Sequence, residues 1–587
     1  MYPNYNINQL TLELSTQYSP KENHVVWAIH EFVESLDLDH IYTFGRPKEY
    51  DPSMLLKLLL YAYSRGIFSS RAIEQFAQEN LPARWLTQEA EPSYRTICRF
   101  RVSDQLRKIL TQSFETFTLF LKQAGFINDV IFIDGTKILS DANKYSFVWK
   151  KNTIRYEELN RQQIVALIND IHEYFQQTVL PADTDLTFDE LEEVLIQLEV
   201  RLEQLETEID QNPKLSPNPK KKIRRKIKSK IRKLKLCQTK KKNYHLQKEL
   251  LGDRNSYSKT DTDATFMRMK EDPMMNGQLK PGYNLQAATS EKFFLAYQLF
   301  PNPTDTRTLI PFLQTHSNLV GQTQVLVADA GYGSESNYRY IEDAYPQLTT
   351  IIPYNTYIKE QSKRWRTDDQ KIMNWTYVES DDYYIDPQGV RFNFQAYRTR
   401  TDNYGFERQF KEYVAETKTA DQMNIEAAFT TKGYKRRIQV NPEYEYYKAQ
   451  QRELLSNDVY GAIYQQRKID VEPAFSHLKA CLGFVRFHVR GIERVHNEIG
   501  LALMASNLRR LISVFTSIKK TQNDYFLKII ILGYLETYVT ASTKSNAIYF
   551  NKKGSTSLSI LFWIINLLPG LCSYHQKYQF LRLRRSR

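Results

Sequence analysis

Two short, strongly apolar runs, each ending in an aspartate, constrain this chain more than any other feature. Val130-Ile-Phe-Ile133 leads into Asp134-Gly135-Thr136, and Thr323-Gln-Val-Leu-Val-Ala328 leads into Asp329-Ala-Gly-Tyr-Gly333. A strand apolar on both faces must be covered on both faces, so runs of this kind belong at the centre of a sheet layered with helices. Between them, Gly282 to Ala287 and Phe293 to Leu299 read as paired strands, and the pattern as a whole is α/β. At 587 residues the chain is long enough for two to four domains.

The flanking segments sort by pattern. Residues 1–125 read as helical: Met54 to Leu60 is an apolar stretch stopped near Gly66, Ser69 and Ser70 can cap a helix from Arg71 to Glu79, and Pro92-Ser93 opens another carrying Arg95, Arg99 and Arg101. Short helices with arginines on the last suit a helix-turn-helix DNA reader, and they equally suit a helical bundle with a solvated basic face. Residues 126–182 begin the sheet. In 183–250, Leu191, Leu195, Leu198, Leu202, Leu205 and Ile209 keep one apolar seam, and Ile223, Ile227, Ile231 and Leu234 supply a second. Prolines 213, 217 and 219 separate these two helices. The first arm carries 11 acidic residues and one Arg over 183–210, and 214–242 carries 15 basic residues and no acidic one. An antiparallel helical hairpin is therefore self-complementary. Residues 251–365 continue the sheet. Residues 366–440, rich in Tyr, Phe and Thr with a turn at Asp386-Pro-Gln-Gly389, predict a small β insertion. Residues 441–520 are helical again, and 521–587 form a tail of unassigned role.

The net charge is +13, with 39 Tyr and 31 Phe, a balance that fits a nucleic-acid partner without establishing one. Four cysteines, none in a CxxC pair, argue against a disulfide framework or zinc ribbon and indicate a cytoplasmic setting. Met1 to Leu14 lacks the layout of a signal peptide. Phe526 to Leu532 and Leu558 to Leu568 are shorter than the roughly 20 residues of a membrane helix; the second, ahead of the basic Arg582, Arg584, Arg585 and Arg587, leaves a short membrane-associating hairpin as the alternative, but buried helices are the reading and no membrane partner is expected.

Strand ends in open α/β sheets favour ligand sites, which makes Asp134 and Asp329 candidates. The third element is Tyr464-Gln-Gln-Arg467-Lys-Ile-Asp-Val-Glu472-Pro-Ala-Phe-Ser-His-Leu-Lys479. On a helix, Glu472, Phe475 and Lys479 return to the same side, with Arg467 one and a half turns earlier. Carboxylates are hard oxygen ligands suited to Mg²⁺, and the cations can hold phosphate. Tyr332 and Asn337 either face a nucleic acid or pack the loop after the strand. Asp261 and Asp263 either support the site or cap a turn. His477, Cys481 and His488 have loose metal-like spacing but no fourth ligand, so they read as packing.

These stretches, together with Asp261-Thr-Asp-Ala264, Pro281 to Gln286, Leu482 to Phe487, Arg490-Gly491 and Asn507-Leu508, resemble the DDE transposases of bacterial insertion sequences. The likeness, to the group with a long helical insertion between the first two acidic residues, spans roughly 40–515. It implies an RNase H-like core with a catalytic triad of Asp134, Asp329 and Glu472 holding Mg²⁺ or Mn²⁺, two ions in all. It also implies double-stranded DNA as partner, both the element's terminal inverted repeats and the target, a homodimer that synapses two ends, and no small-molecule substrate. Arg95, Arg99, Arg101, Arg467, Lys468, Lys479, Tyr332 and Asn337 are the expected DNA contacts. Four residues separate Arg467 from Glu472 where many relatives have three, and Lys468 restores that spacing. Near Asp386 the chain lacks a cysteine that related chains carry. The alternatives are a two-metal nuclease that cuts without joining, and an inactive, domesticated DNA-binding protein.

Overall fold

The computed structural model describes residues 18–21, 24–36, 38, 50–175, 186–211, 218–269, 277–418 and 425–520. The N-terminal leader, the tail 521–587 and its apolar stretches lie outside them. Among the described residues no helix is long and apolar enough to cross a membrane.

The chain opens with helices α1 (Val25–Glu34), α2 (Pro52–Ser64), α3 (Ser70–Glu79), α4 (Leu81–Thr87), α5 (Tyr94–Arg101) and α6 (Asp104–Gln123). The expected caps form: Ser69 Oγ accepts from the Ala72 amide and Ser93 Oγ from the Thr96 amide. Strands β1 (Val130–Leu139) and β2 (Phe147–Trp149) follow, then long helices α7 (Lys150–Phe175), α8 (Phe188–Gln211) and α9 (Pro219–Leu251). Next come β3 (Ser256–Ser258), β4 (Thr265–Arg268), β5 (Leu279–Ser290), β6 (Phe293–Phe300), α10 (Leu309–Thr315) and α11 (Ser317–Gly321). β7 (Val325–Ala328), α12 (Glu335–Ala344), β8 (Thr349–Ile351), α13 (Tyr357–Glu360) and α14 (Lys363–Arg366) lead to a meander of β9 (Thr376–Val378), β10 (Tyr383–Ile385), β11 (Arg391–Thr401), β12 (Glu407–Ala415) and β13 (Arg437–Val440). Helices α15 (Pro442–Ser456), α16 (Asp458–Ser476) and α17 (Ile492–Lys520) complete the described chain.

The main sheet runs β4-β5-β1-β7-β8, with β6 also paired to β5. β1 is antiparallel to β5 and parallel to β7, and β7 is parallel to β8. The two aspartate-ended runs are thus neighbours at the centre, as complete apolarity demands. α17 lies across β6 and packs against α1, α2 and α6 as well. One hydrophobic core therefore runs from Val26 through Ile133 and Phe294 to Phe515 without interruption. Buried polar contacts join the same parts. Arg101 on α5 pairs with Glu498 on α17 at 3.7 Å, and Asn497 Nδ2 donates to the carbonyls of Arg101 and Ser103.

The charge-segregated arms pair as their sequence requires. Lys235 meets Glu199 at 2.5 Å, Lys228 meets Glu206 at 2.9 Å and Lys220 meets Glu208 at 2.8 Å, an antiparallel register. Helix α7, within the stretch 126–182 expected to begin the sheet, joins them: Ile164, Leu167, Ile168 and Ile171 share a core with α8 and α9. Its apolar stripe has helical spacing, but the polar first half, with Ile154, Tyr156 and Leu159 exposed, masks it. β2 pairs with β3 at the root of these helices, so the insertion leaves and re-enters the sheet through one small ribbon. The second insertion is the five-stranded antiparallel sheet β13-β12-β11-β10-β9, turning at Asp386, whose Oδ1 accepts from the Gln388 and Val390 amides.

Candidate active site

The parallel register aligns Val130 with Val325 and Ile133 with Ala328, so Asp134 and Asp329 follow side by side. Each carboxylate is held by its own turn: Asp134 Oδ1 accepts from the Gly135 amide and Asp329 Oδ1 from the Gly331 amide, both at 2.7 Å. A Cβ at Gly331 would stand 2.9 Å from Asp329 Oδ1, so a side chain there would press on the carboxylate. Helix α16 packs over β1, β5 and β7. It is pinned at Asp470, which accepts from Thr289 Oγ1 at 2.6 Å and the Lys292 amide at 2.9 Å. Val471, Ala474, Phe475 and Leu478 form its buried face, and Arg467 on that face donates to Asp134 Oδ2 at 3.0 Å.

Burial is the main force pushing the Asp134 carboxyl up to about 6. Arg467 opposes it, while the charges of Asp329 and Asp305 push the same way. A site with surplus negative charge after its one cation is counted is suited to a further cation, and the donors are hard oxygens. Asp134 and Asp329 therefore fit a divalent metal such as Mg²⁺ or Mn²⁺. Among the described residues no group of three His, Cys, Asp or Glu side chains is gathered as a metal cluster. Glu472 is exposed beside the buried face of α16.

Beneath the pair lies a polar floor that the sequence did not announce. Gln286 on β5 stands opposite Gly135 on β1. Its Nε2 donates to Asp305 Oδ1 at 2.9 Å, Asn284 Nδ2 donates to the same oxygen at 2.7 Å, and Tyr332 Oη donates to Gln286 Oε1. Asp305 escaped notice because it follows no strand or periodic stretch, only the turn Pro301-Asn-Pro-Thr304.

Several of the expected DNA contacts are buried or engaged within the fold. Arg101 is 3 % exposed and donates to the Phe68 carbonyl at 2.6 Å. It faces the core because α5 turns its Ile97–Phe100–Arg101 side inward. Tyr332 is fully buried on the floor just described. Asn337, also buried, donates through Nδ2 to the carbonyls of Thr306 and Tyr332 at 2.9 and 2.8 Å, so both residues pack the loop. Arg467 is engaged with Asp134. Lys479 Nζ donates to the Lys137 carbonyl at 3.1 Å. Phe475 is buried where Glu472 is exposed, so the two do not share an environment. Arg95, Arg99 and Lys468 are exposed.

Asp261 and Asp263 act as caps. Asp261 accepts from Tyr283 Oη at 2.9 Å and the Gly491 amide at 3.1 Å, and Asp263 accepts from the Ile492 amide at 2.8 Å where α17 begins. His477 meets Ser506 Oγ and His488 meets Glu498, which leaves no metal set with Cys481.

Residues 254–508 match the family model of the transposase DDE domain, and residues 14–103 match a second model, the transposase domain DUF772. The chain belongs to the DDE transposases of the insertion-sequence type. No curated protein matches it. Asp329, Asp305, Arg467 and Glu472 fall within the first matched segment, and Arg95, Arg99 and Arg101 within the second; Asp134 lies between the two. At the level of the family this is a metal-dependent transferase acting on nucleic acid.

Proposed function

We propose that the chain cleaves the ends of a mobile DNA element and joins the freed 3′-OH to target DNA, on an RNase H-like core. The observation that carries this reading is the pair Asp134 and Asp329, side by side on adjacent parallel strands at the centre of the sheet. The order β6-β5-β1-β7-β8, three antiparallel neighbours followed by two parallel ones, supports the RNase H-like assignment.

Asp134 and Asp329 would hold divalent cations, with Glu472 on α16 as the third carboxylate. Such ions would supply activation of the attacking oxygen and neutralisation of the departing one in an in-line displacement at phosphorus. Arg467 offsets part of the carboxylate charge until DNA and metal arrive. Lys468, exposed on the same helix, is the cation free to meet a phosphate. Arg95 and Arg99 of α5 and the outward lysines of α9 contribute phosphate contacts, which fix register and carry the salt dependence of binding. In the first step water forms the new bond to phosphorus and the 3′ oxygen leaves. In the second, that 3′-OH attacks a target phosphodiester and the target strand's 3′ oxygen leaves. Two copies synapse two ends.

The test is a cleavage and strand-transfer assay with labelled element ends in Mg²⁺. Asp134→Asn, Asp329→Asn and Glu472→Gln should each lose both steps and keep DNA binding. Cleavage without joining would establish the nuclease reading. DNA binding with no cleavage by the unaltered chain would establish the domesticated one.

A further inference from the structure

The floor beneath the aspartate pair has a direction. A carboxylate only accepts hydrogen bonds, so Asp305 Oδ1 forces both amide partners to present nitrogen: Asn284 Nδ2 at 2.7 Å and Gln286 Nε2 at 2.9 Å. With its nitrogen committed, Gln286 has only oxygen left for Tyr332, whose hydroxyl must then donate. Gln286 Nε2 also reaches Asn284 Oδ1 at 3.2 Å, which closes the set. Every orientation in the chain Asp305–Gln286–Tyr332 follows from the one charge at its end.

The chain touches both catalytic strands. A Cβ at Gly135, the residue after Asp134, would collide with Gln286 Nε2 and stand 2.8 Å from Asp305 Oδ1. On the other side, Tyr332 closes the turn that Asp329 begins, its amide donating to the Asp329 carbonyl at 3.1 Å. The Asp305 loop braces that turn a second time, because Thr306 Oγ1 donates to the Gly331 carbonyl at 2.8 Å. The loop itself is fixed by Thr308, whose Oγ1 donates to the Asp305 carbonyl at 2.7 Å.

We propose that Asp305 is a positioning residue for the Asp134–Asp329 pair, setting through Gln286 and Tyr332 the turn that aims the Asp329 carboxylate. The inference rests on the pair being the metal-binding site proposed above. Partners that orient metal-holding groups typically change metal affinity or activity by about 10- to 100-fold when lost.

The test measures Mn²⁺ binding by electron paramagnetic resonance and end cleavage across a Mg²⁺ titration, with thermal melts to verify folding. Asp305→Ala should weaken Mn²⁺ binding and raise the Mg²⁺ concentration for half-maximal cleavage by about 10- to 100-fold. Asp305→Asn can still turn an oxygen toward Asn284 and Gln286, so it should recover to within a few-fold of the unaltered chain. Tyr332→Phe should show a loss of its own and add little to Asp305→Ala, because both act through one chain. A merely structural role would lower the melting temperature and leave both metal titrations in place. The proposal is overturned by unchanged metal titrations in Asp305→Ala, by an Asn variant no better than Ala, or by additive losses with Tyr332→Phe. An unaltered chain that neither binds Mn²⁺ nor cleaves DNA overturns the metal-site reading and this inference together, an outcome distinct from the other three.

Discussion

Asp134→Asn should make the metal-free protein more stable at pH 8 while destroying its activity. In the folded chain burial, aided by Asp329 and Asp305 and opposed by Arg467, pushes the carboxyl up to about 6 from an ordinary value of 3.8. A raised carboxyl pKa means the folded state resists ionisation, so above that pKa the ionised group works against folding. At 1.36 kcal/mol per pH unit of displacement, the difference corresponds to about 3 kcal/mol. That is a ceiling, because a fifth of the Asp134 side chain is open to solvent. Asparagine mimics the protonated form, keeps the amide contact from Gly135, and has no charge to bury. The advantage of the variant should be greatest at pH 8, shrink as pH falls through about 6, and drop to about 0.5 kcal/mol near pH 4, where the folded carboxyl is protonated and the unfolded one only partly so. The assay is thermal and urea unfolding of both proteins in a chelator from pH 4 to 8. Adding 10 mM Mg²⁺, an amount chosen to be on the order of a hundred times a typical weak-site dissociation constant, should favour the unaltered chain by a few kcal/mol and close or reverse the gap. A variant that is no more stable than the parent at pH 8, or an advantage independent of pH, would refute the account of this site as an undercompensated anionic centre.

Arg101→Met should cost about 3–5 kcal/mol in the same melts, because it strands Glu498 in the core without its guanidinium partner. Arg95→Ala with Arg99→Ala should leave the melts unchanged and weaken DNA binding, reducing the slope of log affinity against log salt in fluorescence anisotropy by about 2. Glu472→Gln should melt like the parent, since its side chain is exposed, and should show no Mg²⁺-dependent cleavage. Glu199→Gln, which breaks one half-exposed ion pair between α8 and α9, should cost under about 1 kcal/mol at 0.1 M salt.

Much of the architecture was readable from local pattern. Apolar runs at 130–133 and 325–328 could only be central strands, and the serines at 69 and 93 announced their helices by chemistry that acts within three residues. The acid and base arms predicted their own antiparallel pairing. The site was half readable, for a physical reason. Which residues end the central strands is a local property, and Asp134 and Asp329 are adjacent as expected. Which side of a helix faces the sheet is a tertiary property. On α16, helical offsets put Glu472 and Phe475 together, but the packed face is set by Val471, Ala474 and Leu478, which leaves Phe475 in and Glu472 out. Arg101 and Tyr332 failed likewise: a cation on a basic helix and a tyrosine in a loop carry no local mark of burial. Asp305 had no pattern to betray it, since the two side chains that meet its carboxylate, Asn284 and Gln286, come from β5.

The burial of Arg101 also changes what the positive charge can do. The 15 basic residues of 214–242 exceed the whole surplus of +13, and several of them are spent on acidic partners in α8. On α5 the exposed cations reduce to Arg95 and Arg99, with Arg71 of α3 joining Arg95 around the Tyr94 ring at 5.3 and 5.8 Å. This small cationic patch is not on a separately folded reader. Helix α5 is tied to α17 by Arg101–Glu498 and by Asn497, α17 packs on β6, and β6 pairs with β5 beside β1. On the proposed reading, DNA held at Arg95 and Arg99 would be held in a set relation to Asp134 and Asp329. Such coupling favours recognition and cutting on one duplex by one unit, and it makes the buried Arg101 a residue of assembly whose loss should release the helix that carries the contacts.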